Sequence, residues 1–139
     1  MNDDDSVSQF GPRIGIYYGV VINQDHLDDK LDPIDIAILI ENITGKCPLN
    51  KESDWKLDYD HSQCYKTIVI YNTKYTRIID CLGYVGGWNP YGNVKTVPSE
   101  IENIAENITT SLQKFIQTYL IGDSYIMLNT GYSVVYFVG

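Results

Sequence analysis

Cys64 stands three residues after His61, in His61-Ser62-Gln63-Cys64, and Cys47 and Cys81 each lie seventeen positions away from it. Thiolate and imidazole are the donors tetrahedral zinc takes, and His-x-x-Cys spacing can put two of them on one ion. No Cys-x-x-Cys pair completes such a set. Cys81 also falls in a predicted strand, where a lone thiol serves as a small core residue. A nucleophilic Cys64 would need His61 or His26 as its base, and a helix N-terminus or a cation to lower its pKa. No such element is predicted around Cys64, so no metal, cofactor or catalytic residue is expected.

Carboxylates are the more abundant chemistry. They run as Asp3-Asp4-Asp5, Asp25-His26-Leu27-Asp28-Asp29, and Asp54, Asp58 and Asp60. Calcium loops need oxygen ligands at fixed alternation with a glycine at the turn, and none of these runs has that pattern. Paired carboxylates for glycoside hydrolysis need a set separation, which scattered aspartates do not specify. The charge is lopsided within a net −8, with thirteen Asp/Glu against five Lys/Arg in residues 1–60 and five against five thereafter. A field of that kind speeds encounter with a basic surface and discourages wrong partners. Asp25, Asp28, Asp29, Asp54 and Asp58 are the carboxylates expected to meet such a partner. The same residues also read as a solvated face that keeps the chain soluble.

The segment Gly83 to Asn93 (GYVGGWNPYGN) has neither Gly-x-Gly-x-x-Gly nor Gly-Lys-Ser/Thr, so it predicts no phosphate cradle. Its Tyr84, Trp88 and Tyr91 suit a recognition loop, since aromatic side chains dominate interface hot spots. The competing reading has them folding back to cap the core.

Composition excludes several classes. Basic residues are scattered singly, so direct nucleic-acid binding and attachment to an anionic membrane are not expected. No apolar run reaches the roughly 18–20 residues that span a bilayer. The acidic start is unlike a secretory leader, and three cysteines are too few for a disulfide scaffold. A reducing cytoplasm is the expected compartment. Eighteen Ile, twelve Tyr and ten Asn suggest an AT-rich genome, of a low-GC bacterium, a protist, or a virus or phage infecting one.

The elements that would position these groups follow from periodicity. Residues 1–10 read as a flexible acidic segment ahead of one domain, 11–139. Arg13 to Ile22 reads as a strand, with Gly15 and Gly19 on one face marking a bend or a close backbone approach. Asp32-Pro33 opens a helix that Gly45 ends, although Ile34 to Ile40 could equally be a buried strand. Residues 46–65 show no periodicity and read as a long surface connection. Lys66 to Tyr71 and Tyr75 to Tyr84 are predicted as a hairpin. Pro98 to Leu120 shows apolar spacings of three and four, with Ser99 and Glu102 as a capping box. A second hairpin, 125–128 with 132–138, closes the chain.

The predicted order is β-α-β-β-α-β-β, an α+β single domain with a mostly antiparallel sheet of about five strands against two helices. The function expected is a protein-interaction module, such as an inhibitor, an adaptor or a virion or phage accessory protein, docking a basic partner. The alternative is a small-molecule or nucleotide binding module, or a minor enzyme, with a pocket under the Gly83–Asn93 loop. The last strand is apolar on both faces, which points to a central position or to a homodimer formed through it.

Overall fold

The computed structural model of the chain describes residues 13–24, 31–60, 66–80, 96–119 and 126–137. Seven elements follow one another: β1 (Arg13–Gln24), α1 (Pro33–Thr44), β2 (Trp55–Tyr59), β3 (Thr67–Asn72), β4 (Arg77–Asp80), α2 (Ser99–Tyr119) and β5 (Ile126–Phe137). They make an α+β domain in which two helices accompany a five-stranded antiparallel sheet, as the sequence predicts.

β1 is the spine of the sheet. β5 pairs along all of it, from Arg13↔Phe137 to Gln24↔Ile126. On its other side β3 pairs with Gly19–Asn23 and β4 with Arg13–Ile16, and β2 lies outside β3. Side chains alternate across this spine. Tyr18, Val20 and Ile22 face the helices together with Ile68, Ile70 and Trp55, and meet Ala105, Ile108 and Leu112 of α2 and Ile36 and Ile40 of α1. Tyr17 and Val21 face the other way, with Val69, Val135 and Phe137. Each fully buried large side chain contributes roughly 1.5–3 kcal/mol.

The helix predicted after Asp32 forms with the expected ends. Asp32 Oδ1 accepts the Ile34 N–H at 2.9 Å, Pro33 opens the helix, and Gly45 closes it at φ 86°. For α2 the start is displaced. The amides of Ile101 and Glu102 donate to the Pro98 carbonyl, so Ser99 is already helical and sits one place inside the position a capping box requires.

Three expectations are corrected. β3 and β4 both run antiparallel to β1, so they run in the same direction and form no hairpin. The turn at Thr73–Tyr75 is a bulge extruded from a strand that continues along one edge of β1. Asn72 Oδ1 caps that turn by accepting from the Lys74 N–H at 3.0 Å, and Thr76 Oγ1 accepts the Tyr18 N–H left facing the gap. A capped three-residue turn looks in sequence like a hairpin loop, whereas the register with β1 shows that the chain does not reverse.

Likewise 126–137 is one unbroken strand and not a hairpin. Asn129-Thr130-Gly131 has turn chemistry, yet Gly131 at φ 111° lies opposite Gly19 within a continuous ladder. Finally, the irregular connection expected over 46–65 contains β2, whose Trp55, Leu57 and Tyr59 pack on the helix-covered core. Trp55-Lys56-Leu57-Asp58-Tyr59 does alternate apolar and polar, but it is only five residues long and is flanked by the charged Lys51, Glu52, Asp54 and Asp60, which hides the short period of two.

The glycines of β1 are there for close approach. A Cβ on Gly19 would lie 1.9 Å from the Ile70 carbonyl oxygen, and one on Gly15 would lie 2.8 Å from that of Arg77.

Candidate partner-docking surface

Among the described residues the acidic surplus gathers in the helix layer, whereas in the sequence it gathers in the first half. α1 carries Asp35 and Glu41 and no base. α2 carries Glu100, Glu102 and Glu106 and, among bases, only Lys114. All five of these carboxylates are exposed. The two helices pack side by side on one face of the sheet, so the first-half and second-half acids share one layer.

Among these carboxylates α1 leaves two large apolar side chains in the open, Ile34 at 68% exposure and Ile38 at 52%. They are four residues apart and therefore adjacent on the helix surface. Ile38 also lines a groove of about 340 Å³ between the helices, with Leu39, Ile43 and Phe115 along it and Asp35 at its margin. An exposed apolar stripe rimmed by carboxylates is a surface that can take an apolar face flanked by cations.

A second cavity, about 310 Å³, opens where α1 ends and α2 begins. Glu52, Asp54 and Glu100 line it, with Lys46 as a cation and Ile43 and Ile101 as apolar wall. Asp54 also makes an exposed ion pair with Lys74 at 3.5 Å, a contact of small energetic weight.

Asp58 lies elsewhere. It is buried on the sheet face away from the helices. Its Oδ1 accepts from Arg13 Nη2 at 3.1 Å and from the Tyr59 N–H at 2.9 Å, and its Oδ2 accepts the Tyr17 hydroxyl at 3.4 Å. Arg13 stacks over Phe137, 5.5 Å from the ring centroid, and Tyr17 meets Tyr71 and Phe137 edge to face. Burial raises the Asp58 carboxyl above its usual value and outweighs the pull of the Arg13 guanidinium. Burial, followed by the adjacent Asp58 charge, also pushes the Tyr71 hydroxyl up to about 12 and raises that of Tyr17 further. The cluster joins β1, β2, β3 and β5 through a polar knot enclosed by aromatic rings.

The residues predicted to meet a partner thus separate. Asp54 is on the surface, and Asp58 is interior on the opposite face of the sheet. Asp25, Asp28, Asp29, Tyr84, Trp88 and Tyr91 lie outside the described residues, as do His61, Cys64 and Cys81. Cys47 is a half-buried free thiol. Among the described residues no group of three His, Cys, Asp or Glu side chains converges to hold a metal, and no helix is long and apolar enough to cross a membrane.

Asp35, Glu41, Glu100, Glu106, Ile34 and Ile38 are not among the site residues expected from the sequence, and Glu102 enters there only as a helix cap. The available signal was the nearly all-round apolar character of α1. A helix that lies on the outside of a two-layer fold must leave part of such a surface exposed. No protein-family model, curated protein or solved structure matches the chain.

Proposed function

We propose that this chain is a small acidic protein-interaction module whose helix layer docks a basic partner surface, in the manner of a cytoplasmic inhibitor, adaptor or virion or phage accessory protein. The observation that carries the reading is the composition of that layer: exposed Asp35, Glu41, Glu100, Glu102 and Glu106 against Lys114, around exposed Ile34 and Ile38. Carboxylates steer a basic partner and fix its orientation, while the apolar stripe and the inter-helix groove supply the desolvated contact. Charge reversal at Asp35, Glu102 and Glu106, all exposed, tests it. The triple Lys variant folds as the parent does and loses the protein that the parent retains from its native host. Retention unchanged by the reversal contradicts the reading.

A second reading, association of two copies through the last strand, is favoured by a separate observation: β5 pairs with β1 alone among the described strands.

A further inference from the structure

The direction of the β5 backbone groups follows from those of β1. The Tyr18 N–H donates to Thr76 Oγ1 at 3.0 Å and the Gln24 N–H to the Lys66 carbonyl at 2.9 Å, and both acceptors lie on the side of β1 away from β5. In an antiparallel strand the N–H and C=O of one residue point to the same side, and the side alternates along the chain. Even-numbered residues of β1 therefore turn away from β5. Their ladder partners, the even-numbered residues from Ile126 to Tyr136, direct their amides and carbonyls to the outer edge of the sheet. No described strand lies along that edge.

Edges that stay single are short, bulged or charged. β5 is 12 residues long, keeps one register with β1 throughout, and contains no Asp, Glu, Lys, Arg or Pro. Val134 and Tyr136 on it are 69% and 54% exposed. The chain carries eight net negative charges, so two copies repel wherever their acidic layers face each other. β5 itself adds no ionised side chain. Glu102 and Glu106 of α2, however, line one cavity with Thr130 and Gly131, so pairing along β5 brings carboxylates of the two copies toward each other and salt is needed to screen them.

The geometry points to a second copy of this chain as the occupant of that edge, paired antiparallel about a two-fold axis at Gly131 to give one continuous ten-stranded sheet. This inference rests on the self-association reading above and specifies its register. Full use of the outward amides sets Ile126 opposite the partner subunit's Tyr136, and Leu128 opposite the partner subunit's Val134. The exposed Val134 and Tyr136 of each copy then land on Leu128 and Ile126 of the other, residues already packed against the helix-covered core. At the axis Gly131 faces its own copy, and a Cβ built there would have nothing within 4 Å in the single chain. The edge is thus complementary to itself in hydrogen bonding and in apolar surface.

Sedimentation of the full chain tests the association, and cysteine pairing tests the register. A dimer is expected that tightens as salt screens the net charge. Val134→Pro removes only an outward amide, so this variant is expected to keep the parent circular dichroism and to sediment as a monomer. In a background with Cys47, Cys64 and Cys81 replaced by serine, a mixture of Asn129→Cys and Ser133→Cys chains is expected to form an inter-chain disulfide. These positions face each other as a non-hydrogen-bonded pair, with Cα atoms about 4.5 Å apart. A mixture of Asn129→Cys and Val135→Cys is expected to stay uncoupled. A monomer at every concentration and salt overturns self-association altogether. A dimer that survives Val134→Pro, or that couples Asn129→Cys to Val135→Cys instead, overturns this pairing and leaves self-association standing.

Discussion

Asp58 and Gly19 show how single residues are constrained by what surrounds them. Removing the Asp58 side chain leaves the Arg13 guanidinium, with Nε already buried and unpartnered, without its carboxylate. Asp58→Ala is expected to lower unfolding free energy by about 3 kcal/mol in urea titrations. Asp58→Asn keeps the shape and does not titrate. Burial favours the protonated Asp58 in the folded state, so its contribution is full below the ordinary value of 3.8 and fades as pH rises through the higher folded value. The unfolding free energy of the parent minus that of Asp58→Asn should therefore fall as pH climbs from about 4, and a rise in that difference would contradict the direction of the shift. At Gly19 even one methyl collides with the Ile70 carbonyl, so Gly19→Ala must push β1 and β3 apart. The loss should match that of a large core truncation, about 2–5 kcal/mol, read by thermal or chemical unfolding.

At the level of elements, local chemistry was legible wherever a signal belonged to one segment alone. Asp32-Pro33 and Gly45 bracket α1 because capping is local, and the three- and four-residue spacing of α2 survives into Ala105, Ile108 and Leu112, all buried. What failed was chain reversal. Asn72-Thr73-Lys74 and Asn129-Thr130-Gly131 have the composition of tight turns, and only pairing with β1, distant in sequence, keeps both running forward. β2 was hidden because its five alternating residues are short and set among charges, and the burial of Asp58 within it depends on Arg13, forty-five positions earlier. The proposed docking surface was half legible. The acidic surplus is visible in composition, but its assembly from α1 and α2 into one layer is a tertiary fact. Two isoleucines separate the roles of the helices. Ile108→Ala, in the core, should cost about 2–5 kcal/mol. Ile38→Ala, on the outer stripe, should change stability by no more than about 0.5 kcal/mol and instead weaken partner retention in the same capture assay.

Taken as a whole, the molecule has two proposed association surfaces that differ in the charge of their central element. The helix layer gathers carboxylates from both halves of the chain around Ile34 and Ile38, and β5 contains no charged residue, although Glu102 and Glu106 line a cavity beside its Thr130 and Gly131. On these proposals salt acts in opposite directions, loosening a basic partner from the first and tightening a second copy on the other. The polar knot of Arg13, Asp58 and Tyr17 supports both indirectly, since it fastens strands of the sheet on which the helices and β5 rest. The most direct test is the affinity of the captured host protein for this chain, followed from about 0.05 M to about 1 M salt, beside the Asp35, Glu102 and Glu106 charge reversal. Binding should weaken steeply and continuously with salt in the parent, and should be weak and nearly salt-independent in the reversed chain. Affinity that holds at the highest salt, or that the reversal leaves untouched, would contradict docking through the acidic helix layer.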